Sequence, residues 1–214
     1  VSLELLTAIA LGIALSVCAG FRAIVPLFVL GLGHRFAPGV VPLPENVSWL
    51  GSTPALVALG AAAFVETLAD KIPVVDHALD LVQTPVRSLA GAAVFAAPFA
   101  DFPSWVIALV ALIGGASALS VHGAKSGLRA ASTALTFGLA NPLISLVEDI
   151  VTWLLAILAV LLPLIAGALV LIFLVWLFRS LRRRLANASS PEIEAKSAAK
   201  EGAAQETPAE ETSS

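Results

Sequence analysis

From Ile150 to Phe178 the chain runs without one charged side chain, and that run decides the solvent for which the fold is built. A helix needs about 17–25 mainly apolar residues to cross a bilayer. Pro163 kinks or divides the stretch, and Arg179, Arg182, Arg183 and Arg184 follow at once. By the positive-inside rule such a block places the C-terminus in the cytoplasm. The rest of the chain agrees: 58% of residues are hydrophobic and 13% are charged, about half the charge of soluble domains. The expectation is an integral protein of the cytoplasmic membrane.

Leu3 to Gly33 is apolar apart from Glu4 and Arg22, with interruptions at Gly20, Pro26 and Gly31. As one helix it would be roughly 45 Å long, too much for a single untilted span. A break near Gly20, continuing as a half-helix or re-entrant segment, is expected. Glu4, with no Lys or Arg ahead of Arg22, argues for a retained helix over a cleaved signal peptide. His34 to Ser52 reads as a loop and Pro54 to Ala69 as an Ala-rich apolar helix. A short polar-striped helix from Pro73 precedes two apolar segments, Ser88 to Ala100 and Phe102 to Val121. A helix with one polar face then runs from His122 until Asn141-Pro142 breaks it. The fold class is all-α, a polytopic helical membrane protein with about six membrane segments, some too short to cross fully. Residues 1–185 form the membrane domain and residues 186–214 a disordered acidic, Ala-rich cytoplasmic tail. From Pro191 that tail holds six Glu and two Lys but only Ile193 as a large apolar side chain, too little to offset ordering entropy. The lone Cys18 excludes an intramolecular disulfide.

Within this apolar background a phrase recurs. Gly20-Phe21-Arg22-Ala23 is followed by Gly31-Leu32, and Gly127-Leu128-Arg129-Ala130 is followed at the same distance by Gly138-Leu139. An Arg at the centre of a membrane helix costs roughly 2.5–3.5 kcal/mol on insertion scales, so it faces protein, water or an anion. Repeat phrases near residues 20–32 and 127–139 predict an internal duplication around a polar site, a transporter-like plan. The alternative is that each Arg snorkels to headgroups or satisfies a carboxylate structurally.

Three polar stripes follow helical spacing. One carries Asp76, Asp80, Gln83 or Thr84, and Arg87; a second carries His122, Lys125, Ser126, Arg129, Ser132, Thr133 and Thr136. The third carries Asn141, Ser145, Glu148 and Thr152, with Asp149 beside it. Lys125 and Arg129 are i,i+4 neighbours of like charge, unfavourable unless an anion or a carboxylate joins them. Either a bound anion, or Glu148 or Asp149, meets that need. The candidate substrate-binding residues are Arg22, Arg87, Lys125, Arg129 and Asn141. Candidate coupling or ion-pairing residues are Glu66, Asp70, Lys71, Asp76, His77, Asp80, His122, Glu148 and Asp149. Buried carboxylates carry protons when burial raises their pKa, hold the bundle together by pairing, or ligate a hard cation such as Mg²⁺; whether a metal site exists is left open. The Ala- and Gly-rich stretches Gly60 to Ala63, Gly91 to Ala97 and Gly114 to Ala118 read as close-packing helix surfaces.

Several of these phrases together resemble the bacterial membrane family labelled domain of unknown function 4126. They are Gly20-Phe21-Arg22-Ala23 with Pro26-Leu27, Ala69-Asp70-Lys71-Ile72-Pro73 with Asp76-His77, and Asp80 through Gln83-Thr84 to Arg87. His122-Gly123-Ala124-Lys125, Gly138-Leu139-Ala140-Asn141-Pro142, and Ser145 with Glu148-Asp149 complete the set. The resemblance covers Leu3 to about Leu185 and implies the architecture, not an activity.

The reading this favours is a small membrane transporter or lipid flippase for an anionic substrate, coupled to protons or cations. Its partners are membrane lipids and an anionic small molecule or lipid headgroup, with no nucleic acid and no cofactor. A second reading is an intramembrane Mg-dependent enzyme on a phosphorylated lipid, since Asp76 and Asp80 resemble half of a Mg²⁺-diphosphate site. No second aspartate motif accompanies them, and no Ser/His/Asp order, Cys nucleophile or HExxH helix is present. The third reading is a non-catalytic membrane scaffold.

Overall fold

The computed structural model describes residues 2–69, 73–176, 178–180 and 182–183, with residues 73–82 as helical backbone only. Asp70, Lys71 and the tail from residue 186 lie outside the described residues, as do the side chains of Asp76, His77 and Asp80. What is described is all-helical, 86% helix with no strand. The chain divides into two units, Val1–Val170 and Leu171–Ser214.

In the first unit, Ser2 caps helix α1 (Leu3–Phe21) by accepting from the Leu5 amide at 3.3 Å. The helix stops where Arg22 turns to extended backbone, φ −140° and ψ 119°. Helix α2 (Ile24–Phe36) resumes directly and ends on His34 and Arg35, cations suited to a helix C-terminus. A 3₁₀ turn (Ser48–Gly51) leads into α3 (Thr53–Ala69), whose start is capped as the Ala55 amide donates to Ser52 Oγ. Helix α4 (Pro73–Ala96) is followed by a second 3₁₀ turn (Ala97–Phe99), then α5 (Ser104–Thr136) and α6 (Asn141–Leu161). Phe137 and Gly138 both take positive φ (53° and 83°), giving the reversal between α5 and α6, and Pro142 sits in the first turn of α6.

Two boundaries differ from the sequence pattern. Pro73 through Ala96 is one helix, although the pattern reads a short polar helix and then an apolar one. Pro85 removes a backbone hydrogen bond, but packing of α4 against α1 and α5 carries the helix past it. The switch from apolar to polar-striped sequence at His122 is likewise no boundary. Helix α5 runs unbroken for 33 residues, about 50 Å at 1.5 Å per residue.

Glycine sets the closeness of these helices. A methyl group on Gly91 of α4 would sit 2.6 Å from Ala118 Cβ and 2.7 Å from the Gly114 carbonyl oxygen of α5. Ser16 of α1 joins the same crossing, its Oγ lying 2.7 Å from Gly12 O and 2.9 Å from Gly91 O. This is the small-residue packing by which membrane helices gain dispersion contact without a hydrophobic driving force. Charge and exposure are inverted relative to a soluble protein. Val57, Phe64, Leu89, Trp105, Leu112 and Leu154 face outward, whereas Arg22 and Arg87 are each 0% exposed.

Among the described residues four helices are long and apolar enough to cross a membrane: Leu3–Phe21, Ser104–Thr136, Asn141–Leu161 and Pro163–Ser180. Ile24–Phe36 and Thr53–Ala69 are apolar but shorter. In the second unit the described residues include a stacked Phe173–Trp176 pair, and the Arg182 guanidinium lies 5.4 Å from the centre of the Phe178 ring.

Candidate functional site: a charged cluster around a broken helix

The break between α1 and α2 leaves backbone groups that a continuous helix would satisfy internally. Pro26 lies just past the break. It has no N–H to donate to the carbonyl of Arg22, which weakens the helix at that turn. Among the described residues, the partners that replace the lost bonds come from other helices. Arg87 of α4 donates through Nη1 to the carbonyl oxygen of Gly20 at 3.1 Å and to that of Phe21. Lys125 Nζ of α5 lies 3.3 Å from the same Phe21 oxygen. On the other side of the break, Glu66 of α3 accepts from the amides of Ala23 at 2.7 Å and Ile24 at 3.0 Å. Cations therefore sit at the negative end of α1 and a carboxylate at the positive end of α2, the favourable sense for both helix dipoles.

Arg22 itself turns inward. Its Nη1 donates to the backbone carbonyl of Glu66 at 3.0 Å and its Nη2 pairs with Asp149 of α6. The neighbouring Glu148 points to α5, where one oxygen, Oε2, receives both Lys125 Nζ at 3.1 Å and Arg129 Nη2 at 3.0 Å. Consecutive residues on a helix differ by about 100° in direction, which is how two adjacent carboxylates serve two different groups of cations. The like-charged pair Lys125 and Arg129 is thus joined by a carboxylate of the chain itself.

Hydroxyls and amides surround these charges. Arg87 Nη2 donates to Gln83, Thr84 Oγ1 lies 3.0 Å from His122 Nε2, and Asn141 Nδ2 donates to Thr133 at 2.9 Å. Thr152 Oγ1 donates to the Glu148 backbone oxygen at 2.7 Å, and Cys18 of α1 packs its sulfur against the Thr152 carbonyl. Ser132 and Ser145 are buried, and their hydroxyls have no hydrogen-bond partner among the described residues.

Of the residues singled out in the sequence, Arg22, Glu66, Arg87, Lys125, Arg129, Glu148 and Asp149 share one buried cluster. His122 pairs with Thr84 of α4, and Asn141 lies at the start of α6 against Thr133. The backbone groups of Gly20, Phe21, Ala23 and Ile24 were not anticipated as partners. Nor was the place of Gln83, Ser132, Ser145 and Thr152 beside the charges, although all four lie on the polar stripes. Among the described residues no three His, Cys, Asp or Glu side chains gather as a metal-ligand set.

The two Gly-x-Arg-Ala phrases take different local structures. The first straddles the break, with Gly20 so close to α5 that a methyl would sit 2.6 Å from Val121 Cβ. The second lies inside continuous α5, and a methyl on Gly127 would meet nothing within 4 Å. Thr133 stands where the first phrase has Pro26, and its N–H lets the helix continue.

A cavity of about 1050 Å³ opens at the opposite end of α1, among Glu4, Leu11, Pro42, Phe99, Phe102 and Leu162. Its lining is mainly apolar and belongs to no part of the charged cluster.

An apolar exterior, long apolar helices and buried charges around a helix break define a helical protein of membrane type. A family model described as domain of unknown function (DUF4126) matches residues 9–183, and the chain belongs to that family. No curated protein and no solved structure matches it.

Proposed function

We propose that the protein is a small membrane transporter or lipid flippase for an anionic substrate, its buried carboxylates coupling that movement to protons or cations. One observation carries the reading: Arg22, Arg87, Lys125 and Arg129 are buried together at a broken helix inside an apolar-skinned bundle. Buried ion pairs add little stability over apolar side chains of similar volume, so ionisable groups at such depth point to a substrate or ion path. Discontinuous helices serve transporters in this way, presenting helix ends and unpaired backbone to the cargo. In this reading Lys125 and Arg129 hold the anion and Arg22, Arg87 and Asn141 line its path. Glu66, Glu148, Asp149 and His122, with Asp70, Lys71, Asp76, His77 and Asp80, provide coupling and pairing. The arginine block after Phe178 sets the C-terminus in the cytoplasm.

A scaffold is the second reading, favoured by Glu66 and Arg87 being committed to backbone groups of the break. Proteoliposomes containing the full chain decide between the two. Uptake of radiolabelled acetate or phosphate, or exposure of a fluorescent phosphatidylglycerol to dithionite, is expected to depend on the protein. Arg129→Ala should abolish that movement and Arg129→Lys retain part of it. Monodisperse protein that moves none of these probes would overturn transport and leave the scaffold.

A further inference from the structure

We infer that the carboxylate of Glu148 occupies the anion site itself, so that Glu148 and an external oxyanion are alternative occupants of the notch between Lys125 and Arg129. The inference rests on the anion-transport reading and names its binding site and the competitor built into it.

Two cations one helical turn apart repel each other unless a negative group lies between them. Among the described residues one oxygen, Glu148 Oε2, is shared by both, with Lys125 at 3.1 Å and Arg129 at 3.0 Å. All three side chains are at least nine-tenths buried, with exposures of 2%, 9% and 7% for Lys125, Arg129 and Glu148. An oxygen of a carboxylate or phosphate group has the charge and hydrogen-bonding capacity to replace it.

The hydroxyls supply an independent observation. Arg129 pairs with Glu148, and helical spacing puts Ser132 one turn from Arg129 on α5 and Ser145 one turn from Glu148 on α6. Ser132 is 9% exposed and Ser145 2%, yet neither hydroxyl has a hydrogen-bond partner among the described residues. Buried hydroxyls are normally paired. Two unpaired ones beside a pair of cations furnish donors for the further oxygens of an oxyanion, which a lone carboxylate tip does not use.

The rest of the cluster holds without Glu148. Arg22 is held by Asp149 and by the Glu66 carbonyl, and the break is capped by Glu66 and Arg87. Withdrawal of Glu148 therefore removes the oxygen that Lys125 and Arg129 share while the frame around it stays anchored.

The test is equilibrium binding of radiolabelled acetate and of inorganic phosphate to the full chain in nanodiscs at fixed ionic strength. An internal competitor lowers apparent affinity by the fraction of time the site is vacant, so Glu148→Gln should bind one or both probes about tenfold or more tighter than the unaltered protein. Adding Lys125→Ala or Arg129→Ala should remove the gain, and adding Ser132→Ala should reduce it. A gain for acetate alone marks a carboxylate ligand and one for phosphate alone a phosphate group; equal gains mark a general oxyanion site. Unchanged affinity for both probes in folded Glu148→Gln would overturn the inference. Should that variant fail to fold, Glu148→Asp decides: it draws the charge back by one methylene and should give a smaller gain, and no gain would overturn the inference equally. Binding without flux would sink transport and leave this site standing; flux with no gain from Glu148→Gln would do the reverse.

Discussion

Glu66 accepts the backbone amide of Ala23 at 2.7 Å, and with it a carboxylate on the third helix closes a gap in the first two. The same side chain takes the Ile24 amide at 3.0 Å, so its role at the break is that of a helix cap delivered from a distance. Glu66→Ala would leave two donors without that acceptor. The expected loss is about 2–4 kcal/mol, larger than for an exposed cap because the site is buried. Glu66→Gln retains one acceptor oxygen and should lose less. Reversible unfolding in mixed micelles of increasing SDS content measures both.

Arg22 and Asp149 form a buried pair whose members depend on each other. Arg22→Met alone and Asp149→Leu alone should each destabilise by about 3–5 kcal/mol, because each takes an opposite charge away from a buried one. The double variant should recover a large part of the combined loss. A double-mutant cycle in the same unfolding assay reads the coupling, and strict additivity would show that the two side chains do not act as a pair.

Gly20 and Gly127 hold the same place in the repeated phrase and should respond with opposite sign. Ala at position 20 meets the carbonyl of Ala118 and the side chain of Val121, and such overpacking costs about 1–3 kcal/mol. Ala at position 127 meets open space in mid-helix, where it should stabilise by about 0.5–1 kcal/mol through helix propensity. Paired melting curves of the two variants check this.

For topology, the positive-inside rule applied to the arginine block after Phe178 predicts a bright fluorescent-protein fusion at the C-terminus and an inactive alkaline phosphatase fusion at the same point. Active phosphatase would reverse the orientation.

Membrane character was legible because it needs only contiguous apolar sequence, as between Ile150 and Phe178. The break near Gly20 was legible too, since Pro26 acts on its own local backbone. The spacing of Lys125 and Arg129 called for a negative partner, and Glu148 meets them. What escaped the sequence was long-range. That Arg87 would reach the carbonyls of Gly20 and Phe21, or Glu66 the amides of Ala23 and Ile24, depends on how α3 and α4 pack against the break, and no local pattern encodes it. Local punctuation also misled: Pro85 and the polarity switch at His122 look like boundaries but lie inside long helices held by their neighbours. The repeated phrase shows the limit most plainly, because the same four-residue pattern straddles a break where Pro26 follows and lies in a continuous helix where Thr133 follows.

The bend between α1 and α2 also imposes an order on biogenesis. Glu66 and Arg87 follow the bend in the chain, so a nascent chain makes the bend before the groups that clasp its carbonyls and amides have been added. The N-terminal helix pair therefore reaches its final hydrogen bonding only once α3 and α4 have arrived.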